Sequence, residues 1–155
     1  MEVAVKRFFS STHFAVVGAS QDPSKYGHKV FAWYTTHALP VTPVNPRIAE
    51  ITLSDTAYPT ATNLTALPFP TETSVSIITP PAVTLRVLKE AKEAGVPAVW
   101  MQPGSFDDEG LEFAKANFEA GVGGEGGNGG EGWCVLVDGE DGLRLAGRKV
   151  DRRKL

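Results

Sequence analysis

Apolar residues along the chain occur in short compact runs that alternate with longer segments of helical spacing. The run HFAVVGA at 13–19 is almost wholly apolar and ends in small residues, as expected of a strand buried on both faces. Comparable runs at 39–46, 74–81 and 96–104 predict three further strands. From 26 to 39, apolar residues recur every three or four positions, which predicts a helix with one buried stripe.

Turn-forming residues mark the limits of the later helices. Proline is tolerated in a first helical turn and glycine favours a helix C-terminus, so we predict a helix from Pro80-Pro81 to Gly95. The acidic pair at 107–108 is expected to cap the next helix. The last apolar run, WCVLVDG at 133–139, is predicted to be the final strand. Three minor elements complete the prediction: a short helix at 3–9, an edge strand within 51–58 and a helical turn within 62–68.

Strands that alternate with helices favour a parallel sheet covered by helices on both faces. Right-handed crossovers then give a doubly wound α/β fold, a Rossmann-like three-layer sandwich. We expect residues 1–155 to form a single domain of this kind, because a chain of this length supplies one workable core. In such sheets, ligands bind beyond the carboxyl ends of the strands, where the strand order reverses.

Glycine, proline and polar residues follow four of the predicted strands. Because the carboxyl ends of parallel strands meet at one edge, we expect these residues to line a single crevice. The candidate binding residues are Gly18, Ala19 and Ser20 after the first strand, Asn45, Pro46 and Arg47 after the second, Thr79, Pro80 and Pro81 after the third, and Gln102 and Gly104 after the fourth.

The loop between the first strand and the following helix has the composition of a phosphate cradle. Gly18 and Gly27 bracket it, and Ser20, Ser24 and Lys25 supply hydroxyl groups and a positive charge. A helix N-terminus attracts phosphate through its unpaired amides and dipole. The loop lacks the later glycines of the Gly-x-Gly-x-x-Gly dinucleotide pattern, so a plain strand-to-helix turn stays open as the alternative.

The end of the second strand restricts the choice of nucleotide. NAD-binding domains usually place an acidic residue there to bind the adenosine ribose, whereas this chain has none before Glu50. Arg47 is suited to pair instead with a phosphate on that ribose. Both NADP and coenzyme A (CoA) carry such a phosphate, so both remain candidates.

Five short motifs in order resemble the small CoA-binding domain proteins, which are similar to the CoA-binding module of succinyl-CoA synthetase α subunits. The motifs are VVGAS, then Lys25-Tyr26-Gly27, then PVNP, then an apolar strand ending in Pro80-Pro81, then VWMQPG. The resemblance implies a Rossmann-like domain that binds CoA or an acyl-CoA.

The same resemblance implies how CoA would lie. Its diphosphate is expected at the loop 18–27, its adenine near Asn45-Pro46, and its pantetheine arm past residues 79–81. Binding without an assigned reaction is the function implied, and an NADP-binding oxidoreductase-like domain is the alternative. That alternative lacks a substrate domain and a catalytic Tyr-x-x-x-Lys.

Composition narrows the partners to a small-molecule nucleotide ligand. The net charge of −3 offers no basic surface for nucleic acid, and no apolar run is long enough to cross a membrane. A single cysteine fits a reducing compartment, so a cytoplasmic protein is expected. The C-terminal Arg153-Lys154-Leu155 is similar to a peroxisomal address, which is the less favoured location.

The remaining chemistry-bearing residues indicate no catalytic group and no metal site. The three histidines are scattered without metal-ligand spacing. Cys134 is expected to be a buried strand residue, with a mixed disulfide to the CoA thiol as the alternative. The segment 121–132 holds eight glycines and is predicted to be a flexible insertion, and the basic tail at 147–155 is expected to be solvated.

Overall fold

Seven strands are present in the part of the chain that the computed structural model describes, residues 1–124 and 133–152. They are β1 (His13–Val17), β2 (Val41–Val44), β3 (Glu50–Leu53), β4 (Thr56–Pro59), β5 (Thr73–Ile77), β6 (Ala98–Met101) and β7 (Ala120–Gly123). Five of them form a parallel sheet in the order β2-β1-β5-β6-β7, whereas β3 and β4 form a separate antiparallel hairpin. The predicted parallel sheet is confirmed.

Helices cover both faces of this sheet. They are α1 (Glu2–Phe8), α2 (Tyr26–Thr36), α3 (Pro81–Ala94), α4 (Asp108–Asn117) and α5 (Val135–Leu145). Buried residues of α1, α2 and α5 share one core with the sheet, and those of α3 and α4 share a second core on the opposite face. The molecule is therefore a three-layer, doubly wound α/β structure, as predicted.

Strand β1 serves both cores because successive side chains of a strand point to opposite faces. Phe14 and Val16 lie in the core beneath α2, whereas Ala15 and Val17 lie in the core beneath α3. Strand order reverses between β1 and β5, since the chain runs outward from β1 to β2 and then in the other direction through β5, β6 and β7. The carboxyl ends of β1 and β5 are thus the switch point where ligands bind in such folds.

The prediction of a final strand at 133–139 is wrong. The last strand of the described sheet is β7, and residues 135–145 form helix α5. Two glycines, one of them at the end of the predicted strand, permit this helix to pack closely. A Cβ at Gly139 would lie 2.3 Å from the Trp33 ring, and one at Gly142 would lie 2.5 Å from the Phe9 ring. Trp133 and Cys134 precede the helix and are not in a strand.

The prediction of a flexible insertion at 121–132 is also wrong for its first three residues. Residues 121–123 belong to β7, and glycine is required there by close packing. A Cβ at Gly121 would lie 2.9 Å from the Ala114 backbone, and one at Gly123 would lie 2.9 Å from the Met101 side chain. Residues 125–132 lie outside the described chain.

Most of the other predicted elements are present, with limits that differ by a few residues. The edge strand expected within 51–58 is the hairpin β3–β4, whose turn residues Ser54 and Asp55 adopt positive φ angles of 41° and 67°. A 3₁₀ turn spans Leu64–Ala66, and Gly95 ends α3 with φ of 82°. Asp107 caps α4 by accepting a hydrogen bond from the Gly110 N–H at 2.9 Å.

The basic tail is not wholly solvated. The Arg148 guanidinium donates hydrogen bonds to the carbonyls of Phe9 at 2.7 Å and Ser11 at 2.5 Å, and it lies 5.5 Å from the centroid of the Phe14 ring. Arg152 pairs with Glu140. Residues 153–155, the proposed peroxisomal address, lie outside the described chain. Within the described ranges, no helix has the length and apolar character needed to cross a membrane.

Candidate functional site

Backbone hydrogen bonds bring four strand ends together at one edge of the sheet. The Gly18 N–H donates to the Val44 carbonyl at 3.3 Å, which joins the ends of β1 and β2. The Ile78 N–H donates to Val17 at 2.9 Å, and the Gln102 N–H donates to Ile77 at 3.1 Å. The residues predicted from four separate strand ends are therefore neighbours.

Gly18 and Gly27 are required by the way the chain turns and packs. Gly18 has a φ of 91°, and a Cβ there would lie 2.1 Å from the Ile78 carbonyl oxygen. A Cβ at Gly27 would lie 1.9 Å from the Gly18 carbonyl oxygen, so glycine lets the first turn of α2 rest on the end of β1. Gly27, which the sequence places at the end of the predicted phosphate loop, is thus required by a contact with the protein's own backbone.

Asn45 connects the ends of β1 and β2 through its side chain. Its Nδ2 donates to the Ala19 carbonyl at 2.8 Å, and its Oδ1 accepts from the Arg47 N–H at 2.8 Å. Both halves of the amide are thus used to hold backbone in place. Arg47, at the end of this turn, is exposed.

Two further contacts fix the loop after β1, and the sequence reasoning missed both. The Gln21 amide pairs with the Thr52 backbone of β3 like a strand residue: its Oε1 accepts from the Thr52 N–H at 2.7 Å and its Nε2 donates to the Thr52 carbonyl at 3.0 Å. His28 Nδ1 donates to the Ser20 carbonyl at 2.9 Å. Because Thr52 is distant in sequence, nothing in the local pattern near Gln21 signals its role.

The N-terminus of α2 faces this fixed loop. Lys25 is the N-cap residue, in extended conformation and without a side-chain capping bond, so the helix start is not closed by its own side chain. Lys25 and Tyr26 are exposed, and Lys29 lies 5.3 Å from the centroid of the Tyr26 ring. Positive charge and the positive end of the helix dipole therefore coincide here, which suits an anionic group.

One carboxylate, that of Asp22, lies within the loop. It accepts hydrogen bonds from the Ser24 hydroxyl at 2.7 Å and the Ser24 N–H at 2.9 Å. These bonds lower the pKa of Asp22, and the charges of Lys25 and His28 lower it further. The Ser24 hydroxyl is consequently directed to Asp22, whereas Ser20 Oγ accepts from the Asp22 N–H and keeps its own proton for another acceptor.

The end of β5 provides a hydroxyl whose hydrogen-bond direction is set. Thr84 Oγ1 donates to the Thr79 carbonyl at 3.0 Å and lies 2.7 Å from Thr79 Oγ1. Thr84 has a single hydroxyl proton and uses it on that carbonyl. The Thr79 hydroxyl must therefore donate to Thr84 Oγ1, and its own oxygen stays able to accept a hydrogen bond. Pro80 and Pro81 follow, with Pro80 exposed and Pro81 opening α3.

The end of β6 is linked to α5. Gln102 is buried; its Oε1 accepts from the Val135 N–H at 3.0 Å, and its Nε2 donates to Cys134 Sγ at 3.3 Å. Gly104 has a φ of 86° and open space around its Cα. Cys134 is the N-cap residue of α5 and is half-buried, so the expectation of a buried strand cysteine is wrong.

The described residues contain no group of three or more His, Cys, Asp or Glu side chains arranged to hold a metal ion. Each of the three histidines instead contacts the protein: His28 holds the loop, His13 stacks on Phe69, and His37 bonds to Glu140. Each histidine therefore has a partner within the protein.

Sheet order and the glycine turn at the switch point define the class of the protein as a doubly wound, Rossmann-like α/β domain. Within this class, the family model described as a CoA binding domain matches residues 12–127. The chain therefore belongs to the family of CoA binding domains. Among curated proteins, no match is found.

Several solved structures are similar to this chain. A conserved hypothetical protein from Pyrococcus furiosus is 34% identical, with 72% of this chain and 92% of that chain covered and a TM-score of 0.64. A protein from Thermus thermophilus is 25% identical over 79% of this chain and 90% of its own, with a TM-score of 0.66. A hypothetical protein from Pyrococcus horikoshii, at 20% identity, 92% coverage of both chains and a TM-score of 0.75, shares the fold.

Proposed function

We propose that the protein binds CoA or an acyl-CoA at the edge formed by the ends of β1, β2, β5 and β6, and that it acts as a binding domain without a reaction of its own. One observation carries the proposal: in a member of the CoA binding family, a loop held by Asn45 and Gln21 presents the N-terminus of α2 at the switch point. This is where a doubly wound sheet receives a nucleotide.

The diphosphate is assigned to the loop 18–27. At the start of α2, the N–H groups of His28 and Lys29 already donate to the Lys25 carbonyl. Those of Tyr26 and Gly27 have no intrahelical acceptor, and Lys25 places a positive charge beside them. The Ser20 hydroxyl adds a further donor. Asp22 is the one negative charge in this loop; its Oδ1 accepts both hydrogen bonds from Ser24, and the positive charge of Lys25 offsets it.

The adenosine end is assigned to Asn45, Pro46 and Arg47. With no acidic side chain at the end of β2, the site lacks the group that would bind an unmodified ribose. Arg47 instead offers a guanidinium for the ribose phosphate of CoA. The turn that carries it is held by the bond from the Arg47 N–H to Asn45, so the guanidinium extends from a fixed backbone.

The pantetheine arm is assigned to the ends of β5 and β6. Thr79 offers an acceptor for an amide N–H of the arm, and the exposed Pro80 with the half-buried Pro81 offers a rigid apolar wall. Gly104, with open space around its Cα, allows the arm to pass close to the backbone. These assignments give each chemical part of CoA a matching surface.

Isothermal titration calorimetry with CoA, acetyl-CoA, NADP and NAD tests the proposal. We expect CoA and acetyl-CoA to bind with similar affinity, because the assigned contacts do not involve the thiol, and we expect NAD not to bind. NADP shares the ribose phosphate and serves as the comparison ligand. Binding of NADP without binding of CoA would refute the proposal and favour the oxidoreductase-like alternative.

A further inference from the structure

Cys134 lies beside the end of the pantetheine path described above. The Gln102 N–H bonds to the Ile77 carbonyl at the end of β5, and the Gln102 side chain reaches Cys134 Sγ at 3.3 Å. Strands β1, β5 and β6 are consecutive in the sheet, so Gly18 and Gln102 are two strand spacings apart, about 10 Å. An extended pantetheine arm that begins at the diphosphate loop and crosses β5 and β6 would bring its thiol end towards this cysteine.

The surroundings of the sulfur leave it open to a disulfide reagent. Cys134 is half-buried and therefore within reach of solvent. It is the N-cap residue of α5, a helix of eleven residues, so the positive end of the helix dipole lies next to it. The Gln102 side chain donates an N–H to the sulfur and so holds its position.

A second, independent feature beside Cys134 points to a ligand. Asp138 is fully buried, and its Oδ2 accepts from the Cys134 N–H at 2.9 Å, so the carboxylate lies directly at the cysteine. Its Oδ1 has no hydrogen-bond partner anywhere in the described part of the chain. A buried carboxylate oxygen is costly to leave without a donor. The pantetheine arm carries an amide N–H near its thiol, so the same ligand end would supply both the missing donor and a sulfur.

We propose that Cys134 forms a mixed disulfide with CoA bound at this site, a step that rests on the proposed function. The Cys134 thiolate attacks one sulfur of a CoA disulfide. A bond forms between Cys134 Sγ and that CoA, the original S–S bond breaks, and the other CoA leaves as a thiolate that takes a proton from water. The disulfide reactant is consumed and no separate oxidant is needed.

The rate of adduct formation tests the proposal. Cys134 is the only cysteine of the chain, so the gain in intact mass reports modification at this residue alone. The protein is treated with CoA disulfide and, separately, with glutathione disulfide at equal concentration. We expect CoA disulfide to react at least about tenfold faster, because binding positions its sulfur before the reaction. Acetyl-CoA, which fills the site without a free thiol, is expected to slow the reaction.

Equal rates with the two disulfides, or no slowing by acetyl-CoA, would overturn the inference. Asp138→Asn is expected to lower the ratio of the CoA disulfide rate to the glutathione disulfide rate, because loss of the charge beside Cys134 affects both reactions alike whereas loss of the carboxylate acceptor affects CoA alone. If that variant does not fold by circular dichroism, the competition with acetyl-CoA on the unaltered protein still decides.

Calorimetry with Cys134→Ser separates this inference from the proposed function. We expect the variant to bind CoA reversibly and to form no adduct. If it binds CoA while the unaltered protein forms no adduct, the disulfide is refuted and the binding function stands. If neither protein binds CoA, the proposed function itself fails.

Discussion

At the scale of single residues, Asn45 determines the shape of the candidate site. Its amide joins the Ala19 carbonyl to the Arg47 N–H, and so it fixes the loop after β1 relative to the turn after β2. Neither backbone partner belongs to a helix or strand, so each depends on this side chain. The cradle is therefore ordered before a ligand arrives, which reduces the entropy that binding must overcome.

Asn45→Ala tests this role. The variant leaves two backbone groups without their partner, which we expect to lower the free energy of unfolding by about 1–3 kcal/mol and to weaken CoA binding. Asn63→Ala is the matched control, because Asn63 makes an equivalent cap to the Ala66 N–H and is not among the residues assigned to CoA. Chemical denaturation and calorimetry should show that the control loses stability alone. Unchanged CoA affinity in Asn45→Ala would contradict the role.

Arg47 is the residue assigned to the ribose phosphate, and dephospho-CoA tests it. In the unaltered protein, loss of that phosphate should weaken binding by about 1.5–3 kcal/mol, the value of a charge-assisted hydrogen bond. In Arg47→Ala, CoA and dephospho-CoA should bind alike. Arg86→Ala, which removes an exposed arginine from α3, should keep the full discrimination. Equal discrimination in Arg47→Ala and the unaltered protein would reject the assignment.

At the scale of elements, α5 shows how tertiary packing overrides a local pattern. The segment WCVLVDG is short, apolar and rich in β-branched residues, which is typical of a strand. Gly139 in this segment and Gly142 just after it nevertheless lie against the Trp33 and Phe9 rings, and the helix packs there because no Cβ intervenes. This complementarity joins residues distant in sequence, so periodicity in the segment itself could not predict it.

Gly139→Ala tests the helical packing directly. Alanine favours a helix over glycine by about 1 kcal/mol, so a solvent-facing site would become more stable. At Gly139 the added methyl group would lie 2.3 Å from the Trp33 ring. We therefore expect a loss of about 1–3 kcal/mol in the free energy of unfolding, the usual cost of overpacking. Val137→Ala, at a residue 67% exposed in the same helix, should be nearly neutral by thermal denaturation.

The sequence was informative where the signal is local. Compact apolar runs located β1, β5 and β6, and Pro80-Pro81 and Gly95 located α3, because these patterns depend on neighbouring residues alone. Strand β7 was not predicted. Its glycines are required by close contacts with Ala114 of α4 and with Met101, and such contacts leave no pattern in the neighbouring sequence. In the site, the strand ends were predicted from topology, whereas the contacts of Gln21 and Asp138 depend on distant partners.

At the scale of the whole molecule, ionic and hydrogen-bonded contacts tie α5 and the segment after it to the rest of the fold. His37, at the end of α2, lies 2.9 Å from Glu140 on α5, and Arg152 pairs with the same carboxylate. Arg148 bonds to the chain after α1. Because α5 also carries Cys134 at its start and contacts Gln102, its position affects one side of the candidate site.

Glu140 makes this arrangement sensitive to acid. The hydrogen bonds from Arg152 and then His37 lower the pKa of Glu140 from its ordinary value of 4.5 to about 2. A carboxyl group whose pKa is lowered by folding stabilises the protein above its unfolded pKa and loses that contribution as pH falls through the folded value. The unaltered protein should therefore exceed Glu140→Gln in stability above about pH 4.5, and the difference should vanish near pH 2. Denaturant titrations across this range measure it, and a constant difference would contradict the explanation.

The central claim is that CoA occupies the carboxyl edge of the sheet at the switch point. An NMR titration of the ¹⁵N-labelled protein with CoA tests it most directly, with NAD as the comparison ligand. We predict that backbone amide shifts concentrate at Ala19, Ser20, Gly27 and Thr79, while His13 and Thr73 at the opposite edge of the sheet stay unchanged. Saturating CoA without shifts at the loop 18–27, or with shifts confined to the opposite edge, would contradict the claim.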